Sequence, residues 1–191
     1  MLMTLMKRSV VLGCAAVMLL AAPIAATVMI PTDLPDVTAS ATLIVRGRVI
    51  DTRAFADIAN GPVMTAVTIG VTESLKGTAD RTVTFRSHGG ELGRYRQVLV
   101  GAPTFAIGDD AYFFLKRAAA GDLWTVGLGA GVYRITNAAG VQVVAPPVVA
   151  GVTATVGAPV ARGDSRRKPM AVSDFAGIVR LLMAARAGGA R

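Results

Sequence analysis

Cysteine is almost absent: Cys14 is the only one in 191 residues. A disulfide framework and a thiolate metal cluster are therefore excluded. Histidine is equally scarce, with His88 alone. A zinc site takes three or four Cys, His or carboxylate ligands, and His88 with Glu91 falls short of that. Charged residues make up 17% of the chain, below the usual quarter. Aromatics supply only 5%, so Val, Ile and Leu must fill most of a core. The N-terminal apolar run is short for a membrane span, which takes about 20 residues, and no second run of that kind follows. Disorder is also excluded, because 53% of the residues are hydrophobic.

What is present begins with an address. Lys7 and Arg8 precede an apolar run over residues 9–22, and small residues follow, ending in Ile24-Ala25-Ala26. This is the layout of a secretory signal peptide over residues 1–26, cleaved near Ala26. The protein is expected to be secreted or periplasmic. A lipoprotein reading of Val11-Leu12-Gly13-Cys14 leaves too short an apolar run ahead of the cysteine. The remainder is long enough to bury about 70% of its unfolded surface without disulfides.

Positive charge is unevenly placed. The whole chain carries +8. From Arg162 onward there are seven basic and two acidic residues, a net +5, whereas residues 27–161 carry only +1. The basic character belongs to the C-terminal segment rather than to a folded face that could track a polyanion. Nucleic acid is therefore not an expected partner.

Between residues 41 and 145 the pattern is period two, broken by turns. Leu43, Val45, Gly47 and Val49 fall on one face of a strand over 41–51, with Arg46 and Arg48 on the other. Asn60-Gly61-Pro62 is a strong turn signal before a strand over 63–75. Further strands are predicted over 81–87, 98–100, 111–116, 123–128, 132–136 and 141–145. A single helical turn fits 34–40. Short strands joined by glycine-rich turns predict an all-β antiparallel barrel or sandwich. The domain is set at 27–145. A Pro, Gly and basic linker is expected over 146–170. One amphipathic helix over 171–187 follows, with Ser173 as its N-cap and Phe175, Ile178, Val179, Leu182 and Met183 along its apolar stripe. That stripe is expected to pack on the barrel rather than lie on a membrane.

The order of these strands carries a resemblance. Leu43-Ile-Val-Arg-Gly-Arg-Val49 leads to Thr65-Ala-Val-Thr-Ile-Gly-Val71, which closes on Leu75-Lys76-Gly77; Gly108-Asp-Asp-Ala-Tyr-Phe-Phe-Leu115 and Trp124-Thr-Val-Gly127 come later. This grammar resembles the netrin-like, OB-type barrel of the tissue inhibitors of metalloproteinases. It is similar, too, to bacterial secreted proteins that add "G-G" and "G-A-P-x-F" segments, here Gly89-Gly90 and Gly101-Ala-Pro-Thr-Phe105. The resemblance spans about half the chain and implies an OB-like barrel. Those inhibitors chelate a target's zinc through an N-terminal cysteine. A chain cleaved near Ala26 has no cysteine, so that mechanism does not carry over, and fold alone does not fix function.

Individual residues narrow the chemistry further. Gly47 within a strand signals a bulge or bend, and Gly77 and Gly108 signal turns with positive φ. Ser87 and His88 are neighbours on a strand and point to opposite faces, which argues against a nucleophile–base pair. Asp109, Asp110 and Asp122 read as turn acids, lacking the ligand spacing of a calcium loop. Nothing selects two carboxylates for hydrolysis. Gly127-Leu-Gly-Ala-Gly131 has no helix behind it to cradle a phosphate and reads as a hairpin turn. Arg162-Gly163-Asp164-Ser165 matches an adhesion tripeptide by composition alone.

The segment from His88 to Pro103 stands out because it sets Arg94, Tyr95 and Arg96 among glycines. Arg and Tyr are typical interface anchors. The expected function is an exported, monomeric, non-catalytic binding module that uses no cofactor or metal. It contacts a protein, an exported protease among the candidates, through His88, Glu91, Arg94, Tyr95 and Arg96. A carboxylate-dependent hydrolase is the alternative, as is an envelope-associated protein held by its basic C-terminal segment. Weak contact with an anionic surface through Arg162, Arg166, Arg167 and Lys168 is expected.

Overall fold

A computed structural model describes residues 33–56, 58, 61–147 and 168–188. The expected signal peptide with Cys14, most of the expected linker, and the Arg162, Arg166 and Arg167 positions lie outside the described residues. Helix α1 (Leu34–Ser40) opens the described chain with Pro35 in its first turn, where a missing N–H costs nothing. Strands β1 (Leu43–Ala56), β2 (Val63–Lys76) and β3 (Thr82–His88) follow as an antiparallel meander. Two three-residue strands, β4 (Gly90–Leu92) and β5 (Tyr95–Gln97), form a separate hairpin. Then come β6 (Asp110–Arg117), β7 (Leu123–Thr125), β8 (Val132–Ala138), β9 (Val141–Ala145), β10 (Met170–Ala171) and helix α2 (Val172–Gly188).

The barrel closes over five strands in the order β1, β2, β3, β7, β6, with β6 returning to β1 along Leu43↔Leu115 through Arg48↔Asp110. It is an OB-like barrel. It is mixed rather than wholly antiparallel, because β3 and β7 run parallel where Arg86 meets Trp124. One edge of β6 serves two neighbours: Leu115 to Arg117 pair with β7, and Ala111 to Phe113 pair with β8. The sheet thus continues outward through β8, β9 and β10.

Strand β6 is buried on both faces. Phe113 and Leu115 point into the barrel with Val45, Val49, Val67, Ile69 and Phe85. Tyr112 and Phe114 point outward, yet are equally buried, with Ile44, Tyr133 and Val144, under Phe175, Ala176 and Val179 of α2 and Val37 of α1. A strand covered on both faces reads as a continuous apolar run, which is what 111–115 is. Helix α2 packs on the barrel sheet as expected, with Ile178 at its exposed margin.

Several boundaries differ from expectation. Strand β1 continues to Ala56, and the Gly47 bend is a register shift between Arg46 and Gly47. Gly77 and Gly108 have φ of +75° and +98°. The 127–131 segment is not a hairpin turn. It is a 3-10 turn (Leu128–Gly131) entered through Gly127 and Leu128 at positive φ; β7 and β8 pair with β6 and not with each other. Ser173 lies inside α2 rather than capping it. Met170 and Ala171, within and just beyond the expected linker, form β10 on the edge of β9.

Candidate functional site

The segment 88–103 is built on the end of the barrel. His88 closes β3 and is exposed; its ring lies 4.8 Å from that of Trp124. Ser87 faces the opposite way, into the protein, and is buried. Strand alternation therefore keeps the two apart as predicted. Gly89 and Gly90 then turn the chain over the barrel mouth with φ of +86° and +145°. A Cβ at Gly90 would lie 2.5 Å from the Thr65 hydroxyl, and one at Gly89 would lie 2.8 Å from the Gln97 carbonyl. Only glycine fits there, through both backbone conformation and space.

The hairpin is fastened at its base. The Gly89 N–H donates to the Val63 carbonyl at 3.0 Å. The Thr65 hydroxyl donates to the Gly89 carbonyl at 2.7 Å. The Val63 N–H donates to Gln97 Oε1 at 2.6 Å. Beneath the hairpin lies a cavity of about 390 Å³ lined by Thr52, Ala54, Thr65, His88, Gln97 and Phe105, among others. Thr52 and Ala54 reach it because β1 runs past the closed part of the barrel.

The five sequence-predicted residues divide between two places. His88, Glu91 and Arg96 line this cavity. Glu91 and Arg96 face each other across the hairpin in an exposed ion pair of 3.2 Å, a kind that contributes little stability. Arg94 and Tyr95 sit at the tip instead. The Arg94 Nη2 donates to the Tyr95 hydroxyl at 3.0 Å, with the guanidinium 5.1 Å from the ring centre. The predicted strand over 98–100 is absent: Val98, Leu99 and Val100 form an irregular, exposed stretch turned by the Ala102 N–H onto the Leu99 carbonyl. Val98 and Val100 are 74% and 73% exposed, and Tyr95 is 60% exposed. The missed signal was an apolar tripeptide just before Gly101-Ala102-Pro103, which looks like a strand because Val98 and Val100 are β-branched and flank the apolar Leu99.

The carboxylates have other occupations. Asp110 pairs with Arg46 at 2.9 Å and Asp109 with Arg134 at 2.6 Å. Arg134 also donates to the Thr104 carbonyl, which anchors the loop leading to Phe105. Asp122 pairs with Arg86, and Glu73 with Arg180. Among the described residues no group of three or more His, Cys, Asp or Glu side chains is placed to hold a metal ion, and no helix is long and apolar enough to cross a membrane. Comparison with protein-family models, with curated proteins and with solved structures finds no match.

Proposed function

We propose that the protein is an exported, non-catalytic binding module, a netrin-like variant of the OB-like barrel, that holds a protein partner through its β4–β5 hairpin. The observation that carries this reading is the exposure of Tyr95, Val98 and Val100 beside Arg94 and Arg96 on an arm pinned to the barrel. Exposed aromatic and aliphatic side chains flanked by arginine are what a protein interface uses as anchors. A fastened base limits the ordering cost of binding. The resemblance to metalloproteinase inhibitors makes an exported protease the first partner class to test. Export, and weak contact of the Arg162–Lys168 segment with an anionic surface, belong to the same proposal.

The test is affinity capture from the host's exported proteins, with the unaltered protein beside the triple variant R94A/Y95A/R96A. A saturable partner lost by the variant supports the reading, and protease inhibition by the unaltered protein would identify the partner class. Equal capture by both proteins refutes it. Since Arg94, Tyr95 and Arg96 are exposed, loss of capture cannot be ascribed to a collapsed core.

A further inference from the structure

The overrun of β1 has a second face. Thr52 and Ala54 turn toward the hairpin cavity, and Arg53 and Phe55, alternating with them, line a separate concavity of about 500 Å³. Along one rung of the sheet Arg53 lies opposite Ala66, Ala66 opposite Arg86, and Arg86 opposite Trp124. Residues directly opposite share a face. The two arginines therefore stand two strand spacings apart, about 10 Å, with only a methyl group between them. Arg117 completes the wall from β6. Asp122 is the one carboxylate among the lining side chains, so the concavity carries surplus positive charge.

Two of its guanidinium groups are held in place by the protein. Arg86 lies over the Phe55 ring at 5.2 Å, with its Nε 3.3 Å from Asp122. Arg117 donates to the Gly121 carbonyl at 2.7 Å. Arg53 is exposed at the rim. Single-stranded nucleic acid needs aromatic faces on which bases stack. Here one face of Phe55 carries the Arg86 guanidinium and one face of Trp124 carries the His88 ring. The arrangement favours a ligand gripped by its oxyanions, the groups that guanidinium forks match best.

We infer that the outer face of β1, β2 and β3, around Ala66 and bounded by Arg53, Arg86 and Arg117, binds an oxyanion, supplied by an acidic saccharide or as a free anion. The experiment is calorimetric titration of the full chain at low ionic strength with inorganic phosphate, with trigalacturonate and with a dT oligonucleotide. The expected result is one saturable site for phosphate or trigalacturonate. The variant R53A/R117A weakens it about tenfold or more, the effect of losing at least one charge-assisted hydrogen bond. R48A, which removes an exposed arginine elsewhere on β1, leaves it unchanged. A66L adds no charge, fills the gap and also abolishes binding. Tighter binding of trigalacturonate assigns the oxyanion to a saccharide; tighter binding of phosphate assigns it to a free anion. The inference is overturned by absence of saturable binding of both probes, by unchanged affinity in R53A/R117A or A66L, or by preference for the oligonucleotide. Melting curves of the variants show that each is folded. None of these residues lines the hairpin cavity, so failure here leaves the hairpin proposal standing.

Discussion

The hydroxyl of Tyr112 donates to Glu73 Oε2 at 3.0 Å, while Glu73 Oε1 accepts from Arg180 at 2.6 Å. Three elements, β6, β2 and α2, meet in this chain of contacts. Burial, and then the Glu73 carboxylate, push the Tyr112 phenol up to about 12. The unfolded chain releases that proton near pH 10, and the fold retains it until about pH 12. The contribution to stability is therefore intact below pH 10 and is lost as pH rises from 10 to 12, by about 2 to 3 kcal/mol. Urea unfolding at pH 8 and pH 11 of the protein and of Tyr112→Phe measures it. The variant should lose less stability across that interval; parallel losses would show that Tyr112 is not the group responsible.

Phe175 is the keystone of the outer layer. Its ring lies 5.0 Å from Tyr112 and 4.9 Å from Tyr133, and it is buried. Phe175→Ala should cost about 3 to 5 kcal/mol, the usual range for emptying an aromatic site in a core. Thermal melting reads this directly. A loss below about 1 kcal/mol would mean that α2 contributes little to holding the sheet.

Gly90 and Gly93 form a contrast within one hairpin. Both have positive φ, but a Cβ would strike Thr65 at Gly90 and meet nothing within 4 Å at Gly93. Gly90→Ala should lift the hairpin from its base and speed hydrogen exchange of the Val63 amide, which is bonded to Gln97. Gly93→Ala should cost about 1 kcal/mol through backbone strain alone and leave that amide protected. Equal exchange in the two variants would count against the fastened base.

Lys76 closes the end of α1. Its Nζ donates to the Thr38 carbonyl at 2.9 Å and the Ala39 carbonyl at 3.4 Å. Burial, and then the nearby Arg186, hold its pKa below the usual lysine value. Lys76→Met keeps the packing and removes the donor. Chemical denaturation should show a loss of about 1 kcal/mol, the typical worth of such bonds. Arg186→Ala should raise the Lys76 pKa, measurable by NMR titration.

Much of the barrel was legible because its inner face obeys a period of two: Val45, Val67, Ile69, Val83 and Phe85 are inward where the pattern places them. Burial of Ile44, Tyr112 and Phe114 on the other face was less visible, since it depends on a helix more than 50 residues away in the chain. The reach of β1 to Ala56 was not visible at all. Asp51 to Ala54 show no apolar alternation, because neither face there is sealed. The hairpin strands escaped notice for the same reason: each is three residues long, and only Gly90 is not exposed. The arginine wall was hidden by register. Arg53, Arg86 and Arg117 are far apart in sequence, and only the pairing through Ala66 makes two of them neighbours.

Strand β1 begins beside α1 and ends beneath the hairpin, so its length separates the two ends of the molecule. From Leu43 to Ala54 the strand spans up to about 35 Å. Asp36 of α1 and Arg186 of α2 border a common groove at the starting end. Helix α1 and the last turns of α2 therefore sit on one side, and the hairpin is offered on the other. A fused protein or a bead attached at an exposed position beside Asp36 or Arg186 would act as a handle and leave the hairpin facing away from it.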